Sequence, residues 1–438
     1  MASIRAYRLV CLCCLLAPAC GGASSPSLAP APTVKLMVFS DPHYYDPSLG
    51  TTGAAFDSYV AHDRKLVAES DAVLRALVSA VNAENPDVVL IPGDLSKDGE
   101  QTSHGLVANY LGQMKRQGRR VFVVPGNHDI QNPGAASYSG DTTTPVPSIT
   151  PADFSTIYQD FGFGDAISID PDSLSYVAEL LPGLWLLALD SCIYGPNPGD
   201  SQVAGRLRDT TQTWIKARLD QAKASQIRVI GMMHHGVIEH FASQALVFPE
   251  YLVNDRAAIA GLFSDGGMGA VFTGHFHAND ITQGTPTGSS QSLFDIETGS
   301  AVTYPCPYRI VDVAGDTLAV TTQHITSIDY DLQGATDFQN YAHDKLLAGL
   351  DQYIAALITA PPYSIAADQA QQISPWMAEG LVAHYAGDEL MPSDMRANIQ
   401  SLYTATDYPT KLAGMLLQSV WTDLPPPDNN VALDLATR

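Results

Sequence analysis

The chain has 438 residues, of which 45% are apolar and only 16% are charged, so it has ample material for a buried core and is not disordered as a whole. Its formal net charge is −23 at pH 7, which repels polyanions and provides no basic stripe that neutralises phosphates. A nucleic-acid polymer is therefore not an expected partner, whereas a small anionic substrate is compatible with this charge because a bound metal ion reverses the field locally.

Residues 1–19 have the layout of a secretory signal peptide. Arg5 and Arg8 precede an apolar run from Leu9 to Ala17, and small residues follow that run. The run is too short to cross a bilayer as a mature helix. We therefore predict that residues 1–19 are a signal peptide and that the protein is exported.

Residues 20–33 are predicted to be a linker. Cys20 follows a small residue and precedes two glycines and a Ser-, Pro- and Ala-rich stretch, which resembles a bacterial lipoprotein processing site. We predict that Cys20 is lipidated and that this anchor alone attaches the protein to the membrane of the bacterial cell envelope. Simple cleavage to a periplasmic or secreted protein is the alternative.

Buried strands alternate with amphipathic helices from residue 34 onward. Continuous apolar runs predict the strands, and apolar residues recurring every three to four positions predict the helices. The predicted elements of this βαβαβ unit are a strand at 34–39, a helix starting at Ser70 and stopping before Pro86, a strand at 87–91, a helix at 103–114 and a strand at 120–124.

The middle of the chain predicts a long loop followed by further strands. Residues 130–152 are rich in Gly, Thr and Pro and are expected to form a surface loop over the strand ends. The elements predicted after this loop are strands at 175–179 and 184–189, a helix at 210–223, and strands at 227–233, 269–273, 293–298, 308–313 and 317–323.

Residues 328–438 change character and predict a helical C-terminal extension. One helical stripe runs from Leu346 to Ile358, and further helical patterns follow at 376–385, 394–404 and 407–420. The last ten or so residues, after three consecutive prolines, are expected to be frayed. The chain is thus divided into an α/β domain over 34–327 and an extension over 328–438.

Polar clusters directly follow five of the predicted strands, where open α/β sheets place their ligand crevice. Carboxylate and imidazole side chains together suit divalent transition metals. One D-x-H or H-x-H segment is most often a surface pair, but five clusters in this order indicate a metal site. The clusters are Ser40-Asp41-Pro42-His43, Gly93-Asp94, Gly126-Asn127-His128-Asp129, His234-His235-Gly236 and Gly274-His275-Phe276-His277.

This ordered set resembles the calcineurin-like metallophosphoesterase superfamily over roughly residues 34–323. Longer stretches, such as Lys97-Asp98-Gly99-Glu100 and 295–300, resemble a bacterial exported branch that has a helical C-terminal extension and includes cyclic-nucleotide phosphodiesterase-like members. The resemblance implies a four-layer α/β/β/α sandwich, followed here by the helical extension. It also implies a site for two metal ions at one edge of the sandwich.

The resemblance assigns a role to each motif residue. It implies that Asp41, His43 and His277 hold one ion, that Asn127, His234 and His275 hold the other, and that Asp94 bridges them. It makes His128 the catalytic histidine beside the leaving group, oriented by Asp129. His235 is the alternative to His234. Lys97 departs from purple acid phosphatases, which place a metal-ligating tyrosine at that position.

Two metal ions about 3.5–4 Å apart generate a bridging hydroxide near neutral pH, neutralise phosphate oxygens and align an in-line attack. Oxygen ligands favour ions such as Mn, and imidazole admits Fe or Zn, so the expected cofactors are two divalent or trivalent ions of these elements.

The expected substrate is a small phosphate ester. The expected reaction is phosphodiester hydrolysis, with cyclic nucleotides among the candidates. The alternatives are a broad phosphomonoesterase, a phosphoprotein phosphatase, or a non-catalytic surface lipoprotein.

Several other polar residues receive structural expectations. His104 is expected to belong to a helix start, and Asp295 and Glu297 are expected to face solvent. Asp280 either hydrogen-bonds a ligand imidazole or belongs to a loop. Cys192 and Cys306 are the cysteines that remain beyond the signal region, and export permits a disulfide between them without establishing it.

Overall fold

The computed structural model describes residues 33–195, 202–361 and 363–435. The predicted signal peptide, Cys20 and the linker up to residue 32 lie outside the described residues. In chain order the strands are β1 (Thr33–Val38), β2 (Val88–Ile91), β3 (Arg120–Val123), β4 (Ala136–Ser139), β5 (Thr142–Pro145), β6 (Ala166–Ile169), β7 (Tyr176–Leu181), β8 (Leu184–Leu189), β9 (Arg228–Met233), β10 (Met268–Thr273), β11 (Ile281–Gly284), β12 (Leu293–Glu297), β13 (Pro307–Ala314), β14 (Thr317–His324) and β15 (Asn430–Asp434).

The helices flank these strands and then form the C-terminal extension. In chain order they are α1 (Ala54–Ala61), α2 (Ser70–Glu84), α3 (Gln101–Met114), α4 (Pro151–Ile157), α5 (Asp209–Ala224), α6 (Gln244–Val247), α7 (Arg256–Asp265), α8 (Phe338–Thr359), α9 (Ala367–Ala386), α10 (Ser393–Tyr403) and α11 (Tyr408–Val420). Helix α2 ends as its sequence predicts: Asn85 adopts the left-handed conformation and donates its backbone N–H to the carbonyl of Val81, and Pro86 cannot continue the helix.

Two mixed sheets form the centre of the molecule. The first has the order β15-β14-β13-β1-β2-β3, in which β1, β2 and β3 are parallel. The second has the order β11-β12-β10-β9-β8-β7-β6, in which β8, β9, β10 and β12 are parallel. The register aligns Leu36 with Val88 between β1 and β2, and Leu186 with Ile230 between β8 and β9.

The alternation of side chains along each strand produces four layers. In β9, Ile230 and Met232 belong to the core between the two sheets, whereas Val229 and Met233 pack in a second core with α5 and α7. Apolar residues of α2 and α3 cover the other face of the first sheet. The architecture is therefore the expected α/β/β/α sandwich. The carboxyl ends of its parallel strands meet at one edge.

The helical extension packs beside this edge. Its core contains Leu346 and Leu350 of α8 together with Phe241, Phe248 and Phe276 of the α/β part. Phe276 lies between two predicted metal ligands in sequence. The extension therefore contacts the segments that carry the predicted site.

Three expectations for individual segments are wrong. The 130–152 loop contains the β4–β5 hairpin, because Tyr138 and Ala136 pack on an aromatic cluster with Tyr45 and Phe56. The tail after the prolines is not frayed, since β15 pairs with β14 and buries Leu433. Asp295 and Glu297 are buried rather than solvent-facing, because their carboxylates accept hydrogen bonds from the loops that cover this face of β12, Asp295 from Val237 N–H and Glu297 from Ala278 N–H.

The structure also bears on the two cysteines beyond the signal region and on membrane-spanning helices. Cys192 and Cys306 are buried free thiols. Among the described residues, no helix has both the length and the apolar character that crossing a bilayer requires.

Candidate metal centre

The loops that leave β1, β2 and β10 hold the predicted ligands on an unusual backbone. Five of these residues adopt positive φ angles, a conformation that costs a non-glycine residue about 1–3 kcal/mol and is found mainly at functional sites. They are Asp41 (φ 51°), His43 (φ 36°), Asp94 (φ 47°), His275 (φ 80°) and His277 (φ 73°). The fold therefore directs these side chains towards one another at a cost in local conformational energy.

Glycines in the motifs allow the loops to approach one another. A Cβ atom at Gly126 would overlap the backbone nitrogen and Oδ1 of Asp94, and one at Gly274 would overlap the side chains of Ser40 and Asp41. No other residue fits either position without displacing a predicted ligand.

Four predicted ligands converge on a first point. The candidate ligand atoms of Asp41, His43, Asp94 and His277 all lie within 4.8 Å of one another. His43 Nε2 lies 3.5 Å from Asp94 Oδ2, and His277 Nε2 lies 3.5 Å from Asp41 Oδ1. The two Nε2 atoms of His43 and His277 face each other at 3.2 Å.

Asp94 also belongs to a second group, with His234 and His275. His234 Nε2 lies 3.4 Å from Asp94 Oδ2 and 3.1 Å from Asn127 Oδ1. The other ring nitrogen of His234 donates to the carbonyl of Pro92 at 2.8 Å, which fixes the ring with Nε2 pointing at this second group. The structure thus brings together the seven predicted ligands in two groups that share Asp94.

The protonation of these groups fits metal binding. Burial raises the pKa of Asp94, but His234, His128 and His43 outweigh it and hold this pKa well below its ordinary value. Burial lowers the pKa of His43 and of His275 well below the usual range for imidazole. Burial lowers the pKa of His234, but Asp94 outweighs burial and raises this pKa to about 9, so a metal ion that binds His234 would displace a proton. Ionised carboxylate and neutral imidazole are the ligands that divalent ions of this class bind.

The structure distinguishes His234 from its neighbour His235. His235 Nε2 donates to the carbonyl of Val203 at 2.9 Å, and its Nδ1 accepts from the hydroxyl of Ser191 at 2.8 Å. Both ring nitrogens of His235 are therefore engaged away from the two groups, so His234 is the member of the pair that faces them.

The predicted partner of His128 is wrong. His128 Nδ1 lies 2.8 Å from the carboxylate of Asp98 and 2.8 Å from the carbonyl of Lys97, and both are acceptors. Its side chain is 25% exposed, so Nε2 is the nitrogen left for a ligand in the cleft. Burial lowers the pKa of His128, but Asp94 and Asp98 reverse this and raise it above the ordinary value. Asp98, rather than Asp129, orients His128.

Asp129 has a structural role instead. Its carboxylate accepts hydrogen bonds from the backbone N–H groups of Leu95, Ser96 and Gly126 at 2.8–3.1 Å. These bonds join the loop after β2 to the loop after β3. His104 is wholly buried and forms a hydrogen bond with the hydroxyl of Tyr158. It lies inside α3 rather than at its N-terminal cap, and its burial keeps it away from any substrate.

A cleft of about 90 Å³ opens onto the two groups, and residues outside the motifs line it. These additional residues are Arg64, Lys65, Val203, Tyr251 and Tyr385. The sequence analysis did not identify them. Arg64 and Lys65 could have been noticed, because they are adjacent basic residues in a chain that has few basic residues. Tyr385 offered no such signal, because it belongs to the distant helix α9.

Comparison with known proteins identifies the family. The profile of the calcineurin-like phosphoesterase family matches residues 34–279. No curated protein matches the chain. Among solved structures, a dimetal phosphatase from Danio rerio is 16% identical with a TM-score of 0.48, and the alignment covers 68% of this chain and 98% of that one.

GAP50, the anchor in the inner membrane complex of Plasmodium, is 9% identical with a TM-score of 0.35, covering 68% of this chain and 87% of that one. The family match spans more than half of the chain and includes the loops after β1, β2, β3, β9 and β10. The chain therefore belongs to the calcineurin-like phosphoesterases, a family of dimetal-dependent hydrolases of phosphate esters.

Proposed function

We propose that the protein hydrolyses phosphodiesters, and that cyclic nucleotides are among its substrates. The observation that carries the proposal is the position of His128, which presents Nε2 to the cleft beside both metal groups while Asp98 holds its other nitrogen. An alkyl phosphate ester, whether a diester or a monoester, has an alkoxide leaving group, which needs a proton donor at this point. The resemblance of the longer motifs to the exported phosphodiesterase-like branch supports the same substrate class.

The roles of the residues follow from their positions. Two metal ions held by the two ligand groups would supply the hydroxide nucleophile and would neutralise the phosphate oxygens. Asp94 would contribute to both ion sites, because its Oδ2 faces His43 and His234 alike. Asp98, whose carboxylate lies 2.8 Å from His128 Nδ1, would keep the ring of His128 protonated. His128 Nε2 donates that proton to the departing oxygen.

The wall of the cleft supports an organic phosphate ester as substrate. Arg64 and Lys65 provide positive charge for a phosphate oxygen that the metal ions do not contact. The ring of Tyr251 lies 4.7 Å from that of His275, and the ring of Tyr385 lies 6.5 Å from that of His277. Tyr251 is partly exposed and offers a flat apolar surface to a planar group attached to phosphate, whereas Tyr385 is buried and packs edge-on to His277.

The substrate class is tested with the metal-loaded full chain. We expect kcat/KM for bis-p-nitrophenyl phosphate to exceed that for p-nitrophenyl phosphate at equal metal concentration, and cyclic nucleotides to be cleaved to monoesters. A higher kcat/KM for the monoester would favour the phosphomonoesterase alternative. Release of phosphate from a phosphoprotein but from no diester would favour a phosphoprotein phosphatase. No metal-dependent turnover of any ester would favour the non-catalytic lipoprotein.

We also propose that the protein acts outside the cytoplasm, attached to the cell envelope through Cys20 or released into the periplasm or medium. Arg5, Arg8 and the apolar run up to Ala17 support export, and the Cys-Gly-Gly sequence supports lipidation. The proline-rich linker would hold the catalytic domain away from the membrane surface.

A further inference from the structure

A second buried group of potential metal ligands lies where the C-terminal helices meet the α/β part. It consists of Asp280 in the loop after β10, His384 in the last turn of α9, and Glu389 just beyond that helix. We call this group the junction site. Candidate ligand atoms of its three residues all lie within 4.8 Å of one another.

The junction site is inaccessible to solvent. Asp280 and His384 are 0% exposed and Glu389 is 8% exposed. His384 Nδ1 lies 3.6 Å from Asp280 Oδ2 and is paired with Oε1 of Glu389. The imidazole and the two carboxylates therefore face a common point, although they come from separate segments of the chain.

Two carboxylate oxygens of the junction site have no hydrogen-bond partner. Asp280 Oδ2 and Glu389 Oε2 are buried and accept no hydrogen bond from any described residue. The other oxygen of Asp280 is 2.6 Å from His240 Nδ1, so His240 fixes the orientation of this carboxylate. Buried carboxylate oxygens are normally paired or bound to a cation.

Two histidines supply the positive charge beside the site. Burial lowers the pKa of His240 and of His384, but the carboxylates that they face outweigh burial and raise both pKa values above the ordinary imidazole value. Arg309 is a buried guanidinium of this region, but it donates to backbone carbonyls and to a threonine hydroxyl. Within the described part of the chain, no lysine or arginine side chain contacts the carboxylates of Asp280 and Glu389, so they touch no permanent positive charge there.

We propose that Asp280, His384 and Glu389 bind a third metal ion, a divalent ion of the Zn²⁺ or Mn²⁺ class. One imidazole and two carboxylates form a donor set used by such ions, with water completing the coordination. His240 supports the site through Asp280, as carboxylate–histidine pairs do around bound metals. The proposal is independent of the phosphodiester assignment, because it concerns different residues.

The position of the junction site gives this ion a structural role. Asp280 is three residues beyond His277, which belongs to the first metal group, and Tyr385 of the cleft follows His384 directly. An ion that joins these segments fixes the C-terminal helices against the loop that carries the catalytic ligands.

Metal counting tests the proposal. The full chain is saturated with Zn²⁺ or Mn²⁺, freed of excess metal by gel filtration and analysed by plasma mass spectrometry. We expect three ions per wild-type chain and two in Glu389→Gln. The matched control is Glu379→Gln, the same substitution at an exposed position of α9, which should keep three. Circular dichroism confirms that each variant is folded.

A second set of variants separates this site from the catalytic pair. His43→Ala/His234→Ala should retain one ion, and adding Glu389→Gln should remove it. A wild-type count of two, or an unchanged count in folded Glu389→Gln, overturns the proposal. If the double variant keeps the wild-type count while Glu389→Gln still loses one ion, the junction site stands and the catalytic pair is contradicted.

Discussion

The metal centre and the junction site use the same kinds of side chain on different backbones. In the metal centre, five ligands have positive φ angles, and glycines such as Gly126 allow neighbouring loops to touch. In the junction site, His384 lies in a regular helix and none of the three residues has a positive φ angle. Positive φ angles are thus found on the ligands of the metal centre and not on the three residues of the junction site, although Asp388 beside Glu389 has one (φ 58°).

The largest effect is expected at the residue shared by the two catalytic groups. Asp94→Asn removes the negative charge that faces both His43 and His234, so both ions should be lost and turnover should fall by more than the ~10²–10⁴-fold typical of losing a general acid. Asn127→Ala should mainly empty the second group. Metal counts on both variants check this, and two catalytic ions retained in Asp94→Asn would contradict the shared role.

The next effect separates chemistry from metal binding. His128→Ala should keep both catalytic ions, because His128 belongs to neither ligand group. Turnover of an alkyl phosphodiester should fall about 10²–10⁴-fold. The loss should be smaller with a nitrophenyl ester, whose leaving group needs little protonation. Steady-state kinetics with both substrates measure the difference, and equal losses would remove the acid role.

A smaller effect is expected from the residue that orients His128. Asp98→Asn removes a carboxylate that raises the pKa of His128, so this pKa should fall. Because the acid must be protonated, activity is lost as pH rises through this pKa, and the alkaline limb of the kcat profile should move to lower pH.

Asp129→Asn is the matched control for this pH experiment. It replaces a buried carboxylate that bonds backbone N–H groups and does not touch His128. It should lower stability by about 1–3 kcal/mol in a denaturant titration without moving the alkaline limb. A shift of the limb in Asp129→Asn but not in Asp98→Asn would restore the original assignment.

The smallest effect on catalysis is expected at Cys20. Cys20→Ser should leave kcat and KM unchanged, because Cys20 precedes the domain that carries the cleft residues. The variant should move from the membrane to the soluble fraction and lose incorporation of a fatty-acid analogue. Identical fractionation of the two proteins would leave simple cleavage as the explanation of the leader.

The sequence predicted the elements whose patterns lie within a short stretch of the chain. Helix α2 and strands β1 to β3 carry strong periodic patterns and clear stops. The polar clusters after the strands indicated a metal site at the common edge, whereas the family resemblance implied which residues are its ligands. The partner of His128 was missed because Asp129 is its immediate neighbour in sequence, whereas Asp98 lies 30 residues earlier. Only the fold of the loop after β2 decides which carboxylate reaches the ring.

Features that depend on distant pairing were not predictable in this way. Strand β15 is five residues long and gains its order from β14, which lies about a hundred residues earlier. Tyr385 and Glu389 are unremarkable helix-end residues until α9 packs beside the loop after β10. Local patterns contain no information on such contacts, because tertiary packing creates them.

The return of β15 to the first sheet has a consequence for how the protein is made. The edge of β14 is paired only after β15 has left the ribosome, so the nascent domain has an open edge while α8 to α11 are synthesised. Open edges recruit strands from other molecules. A stop codon placed between α11 and β15 would therefore favour aggregation of the shortened product during biosynthesis, although every residue of the cleft would still be translated.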